Sequence, residues 1–409
     1  MIAIIFKLAW RNVLGYSDKN KIIVSIIIVS VIFIQFLWAL SEGFGRQVKT
    51  FALDSLVGNM QILHENAKIN PSVANSFEIS DITLNKIATI QGVVGVTKRV
   101  KVPMVLRSER VAQNAMLVGI DLVTEQKLSF YGKDYLPYNE PITYKNNGVV
   151  MGKTLVDDLE TQKNFRVVSS AEDYKGNSIE SPLYINDIYK SSMPNVEEMY
   201  LFQDIKQVQK RYNLGNKVTE VSIIFSDDKY TDALYDEINK LIPPHTKLYK
   251  WGDIMGFLKN WLAMMTINIT VFFLIVFISA SFPLANTLLI SVLERTHEFG
   301  IINALGLKKF YIFLLIMFEA FFILLISISI GFILGAIITI TLSDIGINIS
   351  GFGAGLAQLG LGDYLYPHYN IVSSIIIASL LFIIGMLVSL YPAIKASLYN
   401  PATAMSKRG

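Results

Sequence analysis

Val149-Val150-Met151-Gly152-Lys153-Thr154 has the make-up of a strand running into a phosphate-binding loop, with Gly148 as an upstream glycine. Such a loop needs four residues between its first glycine and the Gly-Lys pair, so that successive backbone N–H groups wrap the phosphates. Only three separate Gly148 from Gly152, which predicts a plain strand-to-helix turn instead. Gly351-Phe352-Gly353-Ala354-Gly355 holds part of a dinucleotide fingerprint, but it follows an apolar run of membrane length and not a βαβ strand, and reads as a flexible loop. His64, His245, His297 and His368 are scattered, without HExxH or other ligand spacing, so no metal site is expected. The chain has no cysteine, which removes disulfides, thiolate ligands, a cysteine nucleophile and a lipid-modified cysteine. No residue is assigned a catalytic role, and no cofactor is expected to be bound by this chain.

Two features remain. Glu319 is the one carboxylate inside an apolar run, and ionisable groups there are functional candidates by default; it stands near one end of the run, where a structural role at the interface serves equally well. Glu294 to Gly306 (ERTHEFGIINALG) places Phe299, Ile302 and Leu305 on one helical face, while Glu294, Arg295 and Glu298 have the three- and four-residue spacing that allows pairing. A short amphipathic helix between two apolar runs is either a passive interfacial element or a knob for a cytosolic partner.

The elements that must position these residues are membrane helices. Of the 409 residues 52% are hydrophobic and 17% charged, more apolar surface than a soluble core of this size needs. About 20 apolar residues cross a bilayer core, and Ile22–Ser41, Trp261–Leu293, Phe310–Ser343 and Tyr364–Ile394 each supply that. The first is read as a retained anchor, because signal-peptide apolar regions are shorter and end at small residues, whereas this one closes on Phe36, Leu37 and Trp38. Lys7, Arg11, Lys19, Lys21, Arg295, Lys308, Lys309, Lys395, Lys407 and Arg408 are the basic residues outside the central region, and all lie before the first run, between the second and third, or after the fourth. The positive-inside rule then puts both termini and the 294–309 loop in the cytoplasm and residues 42–260 outside. The central region is nearly balanced in charge and carries no basic run of a nucleic-acid footprint.

The expected fold is a four-helix α-helical membrane protein with an inserted α+β extracytoplasmic domain. Its parts are an N-terminal amphipathic segment (1–21), a first span (22–41), an outer domain with stalks (42–260), a second span (261–293), a coupling loop (294–309), a third span (310–343), an outer loop (344–363), a fourth span (364–394) and a cytoplasmic tail (395–409). Residues 2–14 place Ile5, Leu8, Ala9 and Trp10 near one face, which suits either a helix in the headgroup layer or an extension of the first span. Phe44, Val48 and Phe51 continue that span outward as a stalk until Gly58 ends it, and Met255–Leu262 forms a second stalk. Arg99–Arg107 and Val221–Phe225 read as strands; Asp204–Tyr212 and Tyr230–Leu241 read as helices.

ERTHEFGIINALG resembles the E-R-x-x-E-[IF]-G-x-x-x-A-L-G signature of FtsX-like ABC transporter permeases. Tyr391-Pro392-Ala393 through Asn400-Pro401-Ala402 is similar to that family's closing segment, and Leu8-Ala9-Trp10-Arg11-Asn12 to its opening. His297 and Asn303 stand where relatives often carry basic residues. Chain length and Gly58-Asn59-Met60-Gln61-Ile62 after the stalk look most like the lipoprotein-releasing permeases of the LolC/LolE type. The resemblance implies a non-catalytic subunit of the bacterial inner membrane, with a periplasmic core domain of the MacB kind. It implies a second permease subunit, identical or homologous, and two ABC ATP-binding subunits that hold ATP and Mg. Coupling to those subunits falls on Glu294, Arg295, Glu298, Phe299, Gly300, Ile302, Ala304, Leu305 and Gly306. The implied cargo is a lipoprotein passed to a periplasmic carrier, and an apolar site for its acyl chains is expected at Phe44, Val48, Phe51, Trp261, Met264 and Met265. The rival implications are a MacB-like mechanotransmitting exporter and an FtsX-like regulator of cell-wall hydrolases.

Overall fold

A backbone surrounded by lipid can bond only to itself, so long apolar runs become helices. A computed structural model describes residues 1–15, 17–126, 128–129, 131, 135, 147–191, 194–295, 308–352 and 364–398. It divides into two units, one of Met1–Gly45, Leu262–Asn348 and Tyr364–Gly409, the other of Arg46–Trp261 and Ile349–Asp363.

The first unit is built on α1 (Ile2–Gly15), α2 (Ser17–Ala52), α3 (Gly256–Glu294), α4 (Lys309–Ile345) and α5 (Ile371–Ser397). Among the described residues, 4 helices are long and apolar enough to cross a membrane, and they are α2 to α5. Glycines set the closest approach. A Cβ on Gly331 of α4 would stand 2.8 Å from Cβ of Val31, and one on Gly335 would stand 2.6 Å from Oε1 of Gln35. This small-xxx-small pair lets α4 ride against the α2 backbone, where dispersion replaces the hydrophobic effect as the force between helices. On α5, Gly385 does the same beneath Leu324. α1 is a separate helix whose Ile5, Ala9 and Val13 are buried in the apolar core of this unit. The buried face is rotated from the expected one, since Leu8 and Trp10 are 37% and 42% exposed. The aromatic rings decide that rotation: Phe6 meets Phe318 and Phe322 of α4 edge-on at 5.3 and 4.8 Å, and Trp10 meets Phe322 at 4.9 Å.

In the second unit the strands are β1 (Met60–His64), β2 (Val93–Arg107), β3 (Ala112–Ile120), β4 (Gly148–Gly152), β5 (Arg166–Glu172), β6 (Ser178–Tyr189), β7 (Tyr200–Asp204), β8 (Glu220–Phe225) and β9 (Thr246–Lys250). Pairing runs β3-β7-β4-β6-β5-β2 and returns to β3, so six strands close on themselves, and β8, β1 and β9 extend from β2. Alternation explains how the closed part is buried on both sides. Leu117, Val149 and Leu201 enter the main core, while their neighbours Val118, Val150 and Phe202 enter a smaller one with Tyr131 and Tyr189. The expected helix over Tyr230–Leu241 is two short ones, Lys229–Ala233 and Tyr235–Asn239, parted at Leu234, where ψ opens to 0°.

At the end of α2 a single π-helical turn, Leu53–Val57, leads into Gly58 at φ 68°. Only glycine fits there, because a Cβ would stand 2.4 Å from Oγ of Ser222. The turn is held by a buried charge cluster. Arg99, wholly buried on β2, donates to the carbonyl of Leu56, to both carboxylate oxygens of Glu125 at 2.7 and 3.2 Å, and to Glu220 at 3.3 Å. Gln61 donates to the same Leu56 carbonyl at 3.1 Å. Burial alone would push the Glu125 carboxyl up, but the Arg99 guanidinium and hydrogen bonds outweigh it and hold the group below its ordinary value.

Candidate functional site

The three segments that carry the resemblance meet in one place in the first unit. Asn12 lies in the opening LAWRN segment, on the buried side of α1 beside Val13. Arg295 follows the last residue of α3 and is the second residue of the signature loop; its N–H still bonds to the Ser291 carbonyl at 3.2 Å. Glu319 is buried on α4. Nη1 of Arg295 donates to Oε1 of Glu319 at 2.8 Å, and Nδ2 of Asn12 donates to the same oxygen at 2.7 Å. The two side chains are only 8% and 6% exposed. Beside them is a cavity of about 20 Å³, lined also by Ile23 of α2 and by Ser291 and Leu288 of α3. Its size admits a single water. Intramembrane carboxylates persist where they are paired, and this one neutralises the cation that the signature places at the mouth of the loop.

Arg295 therefore turns to Glu319, and the pairing with Glu298 read from helical spacing falls on a residue outside those described. Glu298, Phe299, Gly300, Ile302, Ala304, Leu305 and Gly306 all lie outside the described residues, as do Asn400-Pro401-Ala402. Glu294, the last residue of α3, is exposed. In the closing motif, Pro392 is a buried position inside α5, with Tyr391 61% exposed and the Lys395 ammonium 5.7 Å from its ring centre.

The expected acyl-chain residues divide between the units. In the first, Phe44 and Met265 are half-buried, and Met264 is 63% exposed. In the second, Val48 is buried and Trp261 half-buried, while Phe51 packs on the smaller core.

At the opposite end of α2 from the Asn12 cluster, Gly43 meets the segment leading into α5. The His368 N–H donates to the Ala39 carbonyl at 2.8 Å, and Glu42 accepts from Asn370 Nδ2 at 3.3 Å and Ser373 Oγ at 3.5 Å. The Lys153-Thr154 turn has no resemblance to a phosphate site in space. Gly148–Gly152 is strand and Lys153–Asp158 helix, and Thr154 gives its hydroxyl to Glu197 at 2.6 Å and its N–H to the same carboxylate at 3.3 Å. A carboxylate occupies the position that an anion would need. Sequence reasoning missed the role of Asn12 and the Gly331–Gly335 contact. The second had a signal, small residues four apart in an apolar run; the first had none, since an isolated amide at a helix end is common.

Residues 270–401 match the family model described as FtsX-like permease C-terminal, a stretch that takes in the signature loop, the later part of α3 and the whole of α4 and α5. An uncharacterised ABC transporter permease protein of Mycobacterium tuberculosis is 26% identical over 213 residues, 51% of this chain and 23% of that protein. An uncharacterised membrane protein of Buchnera aphidicola subsp. Schizaphis graminum is 24% identical over 197 residues, 47% of this chain and 48% of that one. The chain thus spans less than half the length of these curated relatives. Among solved structures, the extracellular domain of the noncanonic ABC-type transporter YknZ from Gram-positive bacteria is 13% identical, covers 47% of this chain and 100% of that one, and has a TM-score of 0.30. The periplasmic region of MacB from Actinobacillus actinomycetemcomitans is 13% identical, covers 51% of this chain and 96% of that one, and has a TM-score of 0.31. At such TM-scores neither likeness bears on function.

Proposed function

We propose that the chain is a permease subunit of an ABC transporter of the FtsX/MacB type, with its termini and the 294–309 loop in the cytoplasm and residues 42–260 outside. A separate ATP-binding subunit docks on the loop, and a second permease subunit, identical or homologous, completes the complex. The observation that carries this reading is the match of residues 270–401 to the FtsX-like permease region, which includes the loop that sets ERTHEFGIINALG between two membrane helices. ATP and Mg belong to the partner. Closure of the ATP-binding subunits presses on the loop and biases a bistable arrangement of helices, the condition for coupling between distant sites.

The cargo in this reading is a lipoprotein taken from the outer leaflet and given to a periplasmic carrier. Each CH₂ withdrawn from lipid costs about 0.8 kcal/mol, so several acyl chains need an apolar receiver and an external source of work. Phe44, Val48, Phe51, Trp261, Met264 and Met265 are the residues offered for that receiver.

Depletion of the protein followed by fractionation of triacylated lipoproteins tests the cargo. Retention in the inner membrane supports release; unchanged lipoprotein location with loss of export of another compound moves the assignment to a MacB-like exporter. A defect in division or wall turnover moves it to an FtsX-like regulator. Gly300→Asp is expected to reduce transport at least tenfold with the chain still inserted and present at normal abundance, and undiminished transport would remove the loop from the coupling path.

A further inference from the structure

We infer that Arg295 and Glu319, with Asn12, are the joint that passes movement of the signature loop to α1 and α4. The inference rests on the proposed ATP-driven function and goes beyond it to the residues that transmit the movement.

Three features of the geometry support a joint. The first is convergence: one carboxylate oxygen, Oε1 of Glu319, receives Nη1 of Arg295 at 2.8 Å and Nδ2 of Asn12 at 2.7 Å. A displacement of Arg295 by about an ångström would lengthen its own bond out of hydrogen-bonding range or drag Glu319, and with it Asn12, along. The second is position. Arg295 stands directly after α3, so motion of the loop enters the bundle there as well as at Lys309, where α4 begins. Asn12 is on α1, a helix otherwise joined to α4 through the Phe6, Trp10, Phe318 and Phe322 rings. Apolar ring contacts tolerate sliding; a buried ion pair fixes register. The third is room. The cavity of about 20 Å³ beside the cluster leaves space for a small shift or one water, whereas a fully packed junction would resist any rearrangement.

A purely structural pair could be exchanged for apolar side chains of similar volume at little or no loss, and buried pairs often can. That separates the two roles. The assembly, with its ATP-binding subunit, is reconstituted in lipid nanodiscs carrying spin labels at Lys7→Cys on α1 and Leu387→Cys on α5; the chain has no cysteine of its own, so labelling is site-specific. The readout is the change in inter-label distance on adding ATP and vanadate. Glu319→Gln keeps shape and an acceptor for Asn12 but removes the charge, and the double variant Arg295→Met with Glu319→Met restores an apolar fit. Glu319→Gln is expected to bind the ATP-binding subunit in wild-type proportion and the double variant to melt at or above the wild-type temperature, while in assemblies that hold the ATP-binding subunit the distance change falls at least threefold in each. A wild-type-sized change in either variant would overturn the joint and leave a structural pair. An unmodified assembly that recruits the ATP-binding subunit and shows no distance change also overturns it, and failure to recruit any such subunit overturns the functional reading beneath it.

Discussion

Arg99→Met is expected to destabilise the domain of residues 46–261 by about 3–5 kcal/mol, because it leaves the buried Glu125 carboxylate without its cation, while Glu220 keeps Lys101 at 2.8 Å. Arg99 is among the largest fully buried side chains of the described residues and holds Glu125, Glu220 and the Leu56 carbonyl at once. Its guanidinium is held above its ordinary value: burial disfavours the charge, and the attraction of Glu125 and Glu220 outweighs that. Methionine fills the volume but satisfies none of these groups. Hydrogen exchange on the full chain reads the effect, with protection expected to fall across β2, β8 and the Leu53–Val57 turn; unchanged protection would mean that the cluster is a bystander.

The same cluster fixes a pH dependence. The Glu125 carboxyl is lowered in the folded state, so its contribution is complete above the ordinary glutamate value of 4.5 and is lost as the pH falls through the lower folded value. In Arg99→Met the sign reverses. Burial then raises Glu125, protonation relieves the strain, and the gap between variant and wild type is expected to narrow on acidification.

Gly43→Val is expected to cost about 3 kcal/mol in the membrane unit, at the upper end of what overpacking does. The added Cβ would stand 2.1 Å from the Tyr366 carbonyl oxygen, 2.9 Å from the His368 nitrogen and 3.0 Å from Cα of Pro367. All three are backbone atoms, so no rotamer relieves the clash. The segment must lift, losing the His368-to-Ala39 bond and pulling Asn370 and Ser373 away from Glu42. Gly45→Val is the control: nothing lies within 4 Å of its added Cβ, and it should cost less than about 1 kcal/mol. Thermal unfolding in detergent compares the two, and equal midpoints would show that the Tyr366–His368 segment does not pack against α2.

The membrane helices were legible because length and apolarity alone decide whether a segment can satisfy its backbone in lipid. Strand positions such as Val221–Phe225 were legible for a similar reason, as a short apolar run bounded by polar residues. Closure of six strands into one ring was not, because strand order depends on pairings between residues far apart, such as Arg107 with Val168 and Met116 with Tyr200. Gly58 announced itself as a helix stop, and its φ of 68° explains why. The buried face of α1 was misread by one step, since Leu8 is as apolar as Ile5 and only the α4 rings choose between them. In the candidate site, the loop signature identified Arg295, and Glu319 stood out as a lone charge in an apolar run. That they bond to each other, and to Asn12, is a matter of packing between helices, with partners 24 and 307 residues from Glu319 along the chain.

The most direct measurement is purification of the tagged chain from native membranes in mild detergent, followed by assay of ATP hydrolysis. An ABC ATP-binding subunit is expected to come with it, and hydrolysis is expected to vanish when that subunit is stripped away. Hydrolysis by the stripped chain, or recovery without any ATP-binding subunit, would contradict the account.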